Sequence, residues 1–452
     1  MTAKIVFMTA DKVAPPTVTI SRRGADRIRA GHVWVYRSDV VAVEGVQPGA
    51  VVLVQEAGGT GQRHADRRVS TTRKLPDKNV RPTRSLGSAF YSSASEIAIR
   101  MISPKPVNDI ERLVRERIRA AIAYRERFVE NTNAYRLIFS EGDSLPGLIV
   151  DKYNDILSLQ VLTQAWDPEP MRQVFLSELQ AALQPRAIVE RVDPRVRKLE
   201  QLPERESGTI DTRGAMEPAL TDRLQGGSRT GTSSVDGSTT AITTEFHMNG
   251  VRFLYDALAG QKTGAFLDQR ENYAAAEKYA RGEALDVFTY QGGFALHLAR
   301  TCEKVTGVDS SRPALEAADQ NAALNGREIE WIEANAFDLL RDYSDAGRKY
   351  DTIVLDPPAF AKSRQTRETA IRGYKELNLR ALKMLRPGGI LVTCSCSYHV
   401  SAGDLLDVLS SAALDSHRNL RILENRGQAK DHPSVLGVPE TAYLKCLISV
   451  VS

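Results

Sequence analysis

Hydrophobic and polar positions follow two different patterns along the chain. From Thr17 to Ser103, short β-forming runs alternate with glycine turns, and Val51–Val54 and Ile97–Ile102 are the clearest strands. From Thr244 onward, short apolar runs alternate with helical patterns, an order typical of a doubly wound parallel sheet. The predicted strands of this later region are Glu283–Phe288, Lys304–Asp309, Ile329–Glu333, Tyr350–Asp356 and Ile390–Cys396. The pattern therefore predicts an α/β fold with a doubly wound sheet, preceded by a small β-rich domain.

The region between these two patterns reads as a separate mixed α/β segment. It begins with a basic amphipathic helix over Ile110–Phe128 and continues with four short strands and a second helix. Two polar stretches interrupt the chain, at residues 58–88 and 203–243. We therefore predict a β-rich domain at 17–103 with an insertion at 58–88, a central α/β domain at 108–202, a disordered insertion at 203–243 and a C-terminal domain at 244–452.

The insertion at 58–88 is strongly basic. Only Asp66 and Asp77 stand against a set of cations that comprises Arg63, Arg67, Arg68, Arg73, Lys74, Lys78, Arg81 and Arg84. Such a run is either a solvated, disordered insertion or a basic arm that contacts phosphates. The sequence favours the first of these two readings and leaves the second open.

Composition narrows the function classes without choosing one. The 452 residues carry 60 Lys and Arg against 56 Asp and Glu, a net charge of +4, so overall charge does not demand a nucleic acid partner. Four cysteines are too few to form a disulfide framework in a chain of this length. No spacing of Cys and His residues resembles that of a metal site. We find no secretory signal and no membrane-spanning run. A cytoplasmic protein without a metal cofactor is expected.

A carboxylate and two thiols lie at the carboxyl ends of two predicted strands. Asp356 begins Asp356-Pro357-Pro358, while Cys394 and Cys396 close the strand Ile390–Cys396. Ligands of open α/β sheets bind at the carboxyl ends of strands, so these groups should meet at one edge. A thiolate that adds to a nucleobase beside an acid that handles a ring proton is a recognised route to base modification. Cys396, nearer the strand end, is the favoured nucleophile, whereas His399 is more simply a loop residue than a base.

A nucleotide-type cofactor is indicated just upstream. The turn Phe288–Gly293 follows a predicted strand, and the residues of interest in it are Phe288, Tyr290, Gly292 and Gly293. The G-x-G-x-x-G fingerprint of a pyrophosphate site is absent. This turn therefore suits a nucleoside-bearing amino acid better than a pyrophosphate. Asp309 ends the next strand, where a carboxylate can accept both ribose hydroxyls, and Asp338 follows the third, placed for an adenine amino group. Acids at successive strand ends together predict S-adenosylmethionine.

Several runs resemble the bacterial 23S ribosomal RNA cytosine-carbon-5 methyltransferases. The similar segments are Gly260–Asn272, Asp356–Phe360, Ser395–Ser397, Tyr374–Asn378, Asp431–Pro433, Tyr135–Ile138, Glu141–Leu148 and Gly31–Tyr36. The last of these is similar to the family's N-terminal PUA domain, a small RNA-binding β-barrel. The resemblance covers nearly the whole chain except the two insertions, and it implies a Rossmann-like class I methyltransferase domain.

The same resemblance implies roles for individual residues. Cys396, the cysteine after serine in the sixth motif, would be the nucleophile, and Asp356 would serve both the reacting base and the cofactor site. Gln269 and Arg270, within the Gly260–Asn272 signature, would contribute to the S-adenosylmethionine site. The implied partner is ribosomal RNA, of the 23S type, and the oligomeric state stays open with a homodimer as one candidate. This chain departs from the family in its extra Cys394, which lies in a Thr-Cys-Ser arrangement that other RNA cytosine methyltransferases use.

Three other functions remain in competition at this level. An S-adenosylmethionine-dependent RNA methyltransferase could instead act on uracil carbon 5 or on a guanine amino group, and the latter needs no cysteine. A non-catalytic ribosome-assembly factor that binds RNA would need neither the cysteine nor the cofactor. An NAD-dependent oxidoreductase is disfavoured by the missing glycine fingerprint.

Overall fold

The computed structural model describes residues 15–58, 85–210, 216–218, 242–258, 264–361 and 364–452. Almost all of the basic insertion and most of the segment 203–243 lie outside these residues. The chain divides into two compact units. The first comprises residues up to 114 with 162–174 and 194–204, and the second comprises 115–161, 175–193 and 205–452, so the predicted central segment 108–202 contributes to both.

The first unit is built on a six-stranded sheet. Its elements are β1 (Thr17–Ile20), α1 (Arg22–Arg29), β2 (Trp34–Tyr36), β3 (Val40–Glu44), β4 (Val51–Glu56), β5 (Ser85–Tyr91) and β6 (Ile97–Ser103). The strands lie in the order β2-β6-β5-β4-β1-β3. Alternate residues such as Val18, Ile20, Val52 and Val54 are buried, because successive side chains of a strand point to opposite faces. The expected small β-rich domain is confirmed.

A second six-stranded sheet follows. The elements of this stretch are α2 (Ile110–Phe128), β7 (Ala134–Phe139), β8 (Leu148–Tyr153), β9 (Ile156–Val161), α3 (Glu169–Leu183), β10 (Ala187–Glu190), α4 (Pro194–Leu199), β11 (Gly208–Ile210) and β12 (Met216–Pro218). The sheet has the order β12-β11-β10-β9-β8-β7. The predicted helix Ile110–Phe128 is confirmed with the same bounds.

The start of the segment 203–243 corrects the sequence interpretation. We expected disorder throughout, yet β11 pairs antiparallel with β10, and β12 pairs with β11. Ile210 is buried at 3% exposure, and the edge of β10 offers backbone groups that a following strand can satisfy. A buried apolar side chain thus accompanies strand pairing where polar composition suggested a linker.

A hairpin precedes the last sheet. It consists of β13 (Thr243–Met248) and β14 (Val251–Asp256), joined at Asn249 and Gly250, both of which have positive φ. Such angles are those of a two-residue hairpin turn, for which Asn-Gly is a favoured pair. The side chain of Asn249 donates to the Arg270 carbonyl at 2.8 Å, so the hairpin is tied to the start of the next helix.

The last sheet has seven strands, in the order β17-β16-β15-β18-β19-β21-β20. Its elements are α5 (Arg270–Tyr279), β15 (Glu283–Val287), α6 (Gly293–Leu298), β16 (Lys304–Asp309), α7 (Arg312–Leu324), β17 (Glu330–Glu333), α8 (Ala336–Asp345), β18 (Tyr350–Leu355), α9 (Arg367–Met384), β19 (Leu385–Ser395), α10 (Ala402–Asp415), β20 (Leu420–Arg426) and β21 (Lys445–Val451). Strands β15 to β19 pair in parallel, and β21 runs antiparallel to both of its neighbours. Apolar clusters cover both faces, as in a doubly wound sheet, so the predicted fold class is confirmed.

Strand β19 differs from its prediction at both ends. It begins at Leu385 rather than at Ile390, and its pairing with β18 shifts register between these two positions. It ends at Ser395, one residue before Cys396. The regular alternation of strand side chains therefore ends before Cys396.

Among the described residues, none of the helices combines the length and the apolar character that crossing a bilayer requires.

Candidate active site

Asp356 and Cys396 come together at the carboxyl edge of the seven-stranded sheet. Strands β18 and β19 pair in parallel with Leu355 opposite Thr393, so their ends reach the same edge. Each candidate residue lies one position beyond its strand. The Cys396 Sγ is 3.9 Å from the carbonyl oxygen of Pro357, the residue after Asp356. The two groups that the sequence singled out thus share one small region.

A hydrogen-bonded chain holds the Asp356 carboxyl. Gln269 Nε2 donates to Asp356 Oδ1 at 2.9 Å, and Gln269 Oε1 accepts from Asn272 Nδ2 at 2.7 Å. Arg426 in turn donates to Asn272 Oδ1 at 2.9 Å. Gln269, expected to contact the cofactor, therefore uses its amide to orient Asp356. Asn272 was not singled out from the sequence, because one of its partners, Arg426, lies 154 residues away along the chain.

The surroundings of Asp356 favour its neutral form. Burial, together with the nearby Asp268 and Asp286 carboxylates, raises its pKa to about 8, and the hydrogen bond from Gln269 opposes this rise. The side chain is only half-buried, with part of its surface open to solvent. At neutral pH this carboxylic acid carries its proton and can donate it.

The turn after β15 has an unusual backbone. Phe288, Tyr290 and Gly292 have φ of 70°, 52° and 82°. For the two aromatic residues this left-handed conformation costs about 1–3 kcal/mol each, and such strain persists where the surroundings fix it, often at ligand sites. Asp286 lies beneath the turn and accepts from Thr289 Oγ1 at 2.6 Å and from the Ala295 amide at 2.9 Å. Burial raises the pKa of Asp286 to about 7.

The predicted ribose ligand adjoins this turn. Asp309 accepts the Tyr290 amide at 3.0 Å and the Ser311 amide at 2.9 Å. Its carboxylate therefore fixes the turn as well as lying at the end of β16. Gly293 packs tightly behind the turn, since a Cβ there would lie 2.5 Å from the Tyr273 hydroxyl. A carboxylate can accept hydrogen bonds from ribose hydroxyls, and a tight turn lets the backbone approach an amino-acid moiety. These residues therefore fit S-adenosylmethionine.

Two other predicted cofactor residues lie in different surroundings. Asp338 is in the first turn of α8, with a side chain 61% exposed and paired with Arg341 at 2.7 Å. Arg270 is almost fully buried and lies 3.2 Å from Asp431, which ties α5 to the C-terminal segment. The geometry gives Asp338 access to a ligand, while the Arg270 side chain serves an internal ion pair.

The two cysteines of the sixth motif have different environments. Cys394 is fully buried, and Cys446 of β21 lies directly opposite it in the antiparallel ladder. Burial raises the pKa of the Cys394 thiol well above its usual range, and Cys446 and Asp356 add to this rise. Cys396 is half-buried. A thiol that must ionise and reach a substrate is better served at Cys396.

Two side chains that the sequence analysis did not single out contact the residues on either side of Cys396. Tyr374 is buried in α9, and its hydroxyl lies 2.9 Å from Ser395 Oγ and 3.0 Å from Ser397 Oγ. Lys445, the first residue of β21, donates to the Ser397 carbonyl at 2.7 Å. Tyr374 lies within a run that resembles the family, but nothing in the local sequence of Lys445 marks it as a site residue.

No group of three or more His, Cys, Asp or Glu side chains in the described part of the chain is arranged to hold a metal ion.

The sequence of this chain is similar to that of known methyltransferases. Residues 187–448 match the model of an S-adenosylmethionine-dependent methyltransferase family, and residues 18–60 match a PUA-like domain. A protein of Photobacterium profundum named ribosomal RNA large subunit methyltransferase I is 33% identical over 92% of this chain and 95% of its own length. The protein of the same name from Aeromonas salmonicida is 36% identical over 80% of this chain and 87% of its own length.

Solved structures agree in fold. The crystal structure of the methyltransferase SMU.776 complexed with SAH superposes with a TM-score of 0.72 at 16% identity, covering 96% of this chain and 99% of that one. A SAM-dependent methyltransferase from Streptococcus mutans gives 0.71 at 17% identity, with the same coverage.

Proposed function

The chain belongs to the S-adenosylmethionine-dependent methyltransferase family, and from this premise we propose that it methylates carbon 5 of a cytosine in 23S ribosomal RNA through a covalent cysteine adduct. The observation that carries the proposal is the meeting of Asp356 and Cys396 at one sheet edge, with Cys396 Sγ 3.9 Å from the Pro357 carbonyl. The full-length relatives named for large-subunit ribosomal RNA support the choice of RNA. The PUA-like domain matched at residues 18–60 supports a role in holding it.

Each of the two residues has a distinct task. The Cys396 thiolate adds to carbon 6 of the cytosine, forming a sulfur–carbon bond and moving the ring electrons toward carbon 5 and the ring nitrogen. Protonated Asp356 donates to that nitrogen as charge develops there, which suits its raised pKa. Once carbon 5 carries the methyl group, loss of its proton returns the electron pair that expels the thiolate.

The cofactor would be held by the turn after β15 and by Asp309, with Asp338 close to the adenine. When bound, S-adenosylmethionine supplies the methyl group. The Asp309 carboxylate accepts the Tyr290 amide at 3.0 Å, so the residue that would bind the ribose also fixes the turn that would hold the methionine part. The target base must be extruded from folded RNA to reach the thiol, because the edge of a stacked base is inaccessible.

The experiment that tests the covalent route uses RNA that carries 5-fluorocytosine. Fluorine at carbon 5 cannot leave as a proton does, so the enzyme should be trapped in an adduct that survives denaturation. We expect the adduct in the unaltered chain and in Cys394→Ala, and no adduct in Cys396→Ala. Cofactor affinity, measured by calorimetry, should be unchanged in Cys396→Ala.

The controls separate the competing functions. An adduct that survives Cys396→Ala but disappears in Cys394→Ala would transfer the nucleophile to Cys394. Full methylation of unmodified RNA by Cys396→Ala would favour an amino-group methyltransferase. Mass spectrometry of ribosomal RNA from a strain that lacks this protein identifies the product, and a missing 5-methyluracil or methylguanine in place of 5-methylcytosine would contradict the proposed specificity.

A further inference from the structure

Lys445 places its ammonium group against the backbone of Ser397, the residue that follows the proposed nucleophile. In the ladder between β19 and β21 its register partner is Ser395, the residue before Cys396. Its Nζ donates to the carbonyl of Ser397, the residue after Cys396, at 2.7 Å, and to the Tyr443 carbonyl at 2.8 Å. Lys445 therefore contacts the chain on both sides of Cys396.

We propose that Lys445 is the cation that stabilises the Cys396 thiolate. Both of the assigned acceptors of its ammonium are neutral carbonyls, so its positive charge is not neutralised by a carboxylate within ion-pair distance among the described residues. A full positive charge close to a half-buried sulfur favours the thiolate over the thiol. When the thiol ionises, its proton passes to solvent and the lysine keeps its own.

Three ionisable groups around Lys445 and Cys396 do not cancel this effect. Asp404 pairs with Arg367, so its negative charge is partly balanced there. Asp356 carries its proton at neutral pH, since burial raises its pKa to about 8. The Tyr374 hydroxyl is neutral as well, because burial raises its pKa above the usual value.

The pKa of Lys445 also reflects its burial and its charged neighbours. Burial lowers its pKa to about 8, and the neighbouring Cys396 sulfur and the Asp404 carboxylate oppose this change. The lysine thus stays largely protonated at neutral pH but loses its proton more easily than an exposed lysine. The thiolate and the ammonium stabilise one another, and the pair should break up above pH 8.

The inference rests on the proposed function and deepens it, because it gives a reason for the Cys396 thiol to ionise at neutral pH, where an ordinary thiol is mostly protonated. Its test needs no RNA and no methyl transfer. The rate at which iodoacetamide alkylates Cys396 is measured between pH 5 and 10 on the full chain, with the labelled peptide identified by mass spectrometry. The rate follows the thiolate fraction and so gives the thiol pKa.

We expect the Cys396 thiol of the unaltered chain to titrate below the ordinary thiol pKa of about 8.5. Lys445→Met should raise the pKa of this thiol by about one unit and slow alkylation at pH 7 roughly tenfold. Lys445→Arg, which keeps the charge, should restore most of the rate. The matched control is Lys349→Met, since the exposed Lys349 also donates to a backbone carbonyl, that of Lys383 at 2.7 Å. It should leave the thiol unchanged.

Three outcomes would overturn the proposal. They are a Cys396 pKa at or above the ordinary value in the unaltered chain, an equal rate in Lys445→Met, and an equal loss in Lys445→Met and Lys445→Arg. The first is decisive even when Lys445→Met does not fold. A normal thiol pKa together with a trapped fluorocytosine adduct would reject only the role of Lys445, whereas a lowered pKa without an adduct would reject the covalent route and keep the ion pair.

Discussion

Asp356→Asn should stabilise the protein at alkaline pH while removing its activity. The substitution keeps the shape of the side chain and the contact with Gln269, but it has no proton to lose. Folding raises the Asp356 pKa from 3.8 to about 8. Between these two pH values the folded chain therefore binds a proton that the unfolded chain has released, and the stability of the unaltered protein falls as pH rises through this window.

The magnitude follows from the same shift. A difference of about four pKa units would correspond to roughly 5–6 kcal/mol of stability lost between pH 4 and pH 8. Most of this loss falls between pH 4.5 and pH 8.5, where the same shift gives roughly 4–5 kcal/mol. The free energy of unfolding of Asp356→Asn, relative to the unaltered chain, should thus become more favourable by about that amount as pH rises from 4.5 to 8.5.

Urea denaturation at pH 4.5, 6.5 and 8.5 measures this difference. Asp342→Asn is a suitable control, since Asp342 is 72% exposed on α8 and its substitution should shift stability equally at each pH. Parallel pH profiles for the unaltered chain and Asp356→Asn would refute the assignment of a protonated Asp356. Methyl transfer by Asp356→Asn should be lost, because an amide cannot pass a proton to the ring nitrogen.

Two further predictions concern binding. Asp309→Ala should weaken S-adenosylmethionine binding by roughly 1.5–3 kcal/mol, the cost of losing hydrogen bonds to a charged group. Calorimetry measures the affinity, with Asp342→Ala as the control, and an unchanged affinity would remove Asp309 from the site. Deleting residues 59–84 should flatten the salt dependence of RNA binding if these basic residues contact phosphates, and an equal slope with and without them would leave the reading of a solvated insertion.

The sequence by itself determined the local elements and the composition of the sheet edge. Buried runs such as Tyr350–Leu355 and Lys304–Asp309 form strands within a residue of their predicted bounds. The helix Ile110–Phe128 has the bounds that its apolar period predicts. These features depend on side-chain patterns a few residues apart, and in a parallel sheet they also fix which residues follow each strand.

Tertiary structure alone decided the environment of each reactive group. Gln269 reaches Asp356 across 87 residues, and Lys445 reaches the Ser397 carbonyl across 48. Cys394 and Cys396 are two residues apart, yet only Cys394 faces Cys446, because β21 inserts antiparallel beside β19 and the strand ends before Cys396. Burial and neighbouring charge set a pKa, and both arise from segments that the local sequence does not specify.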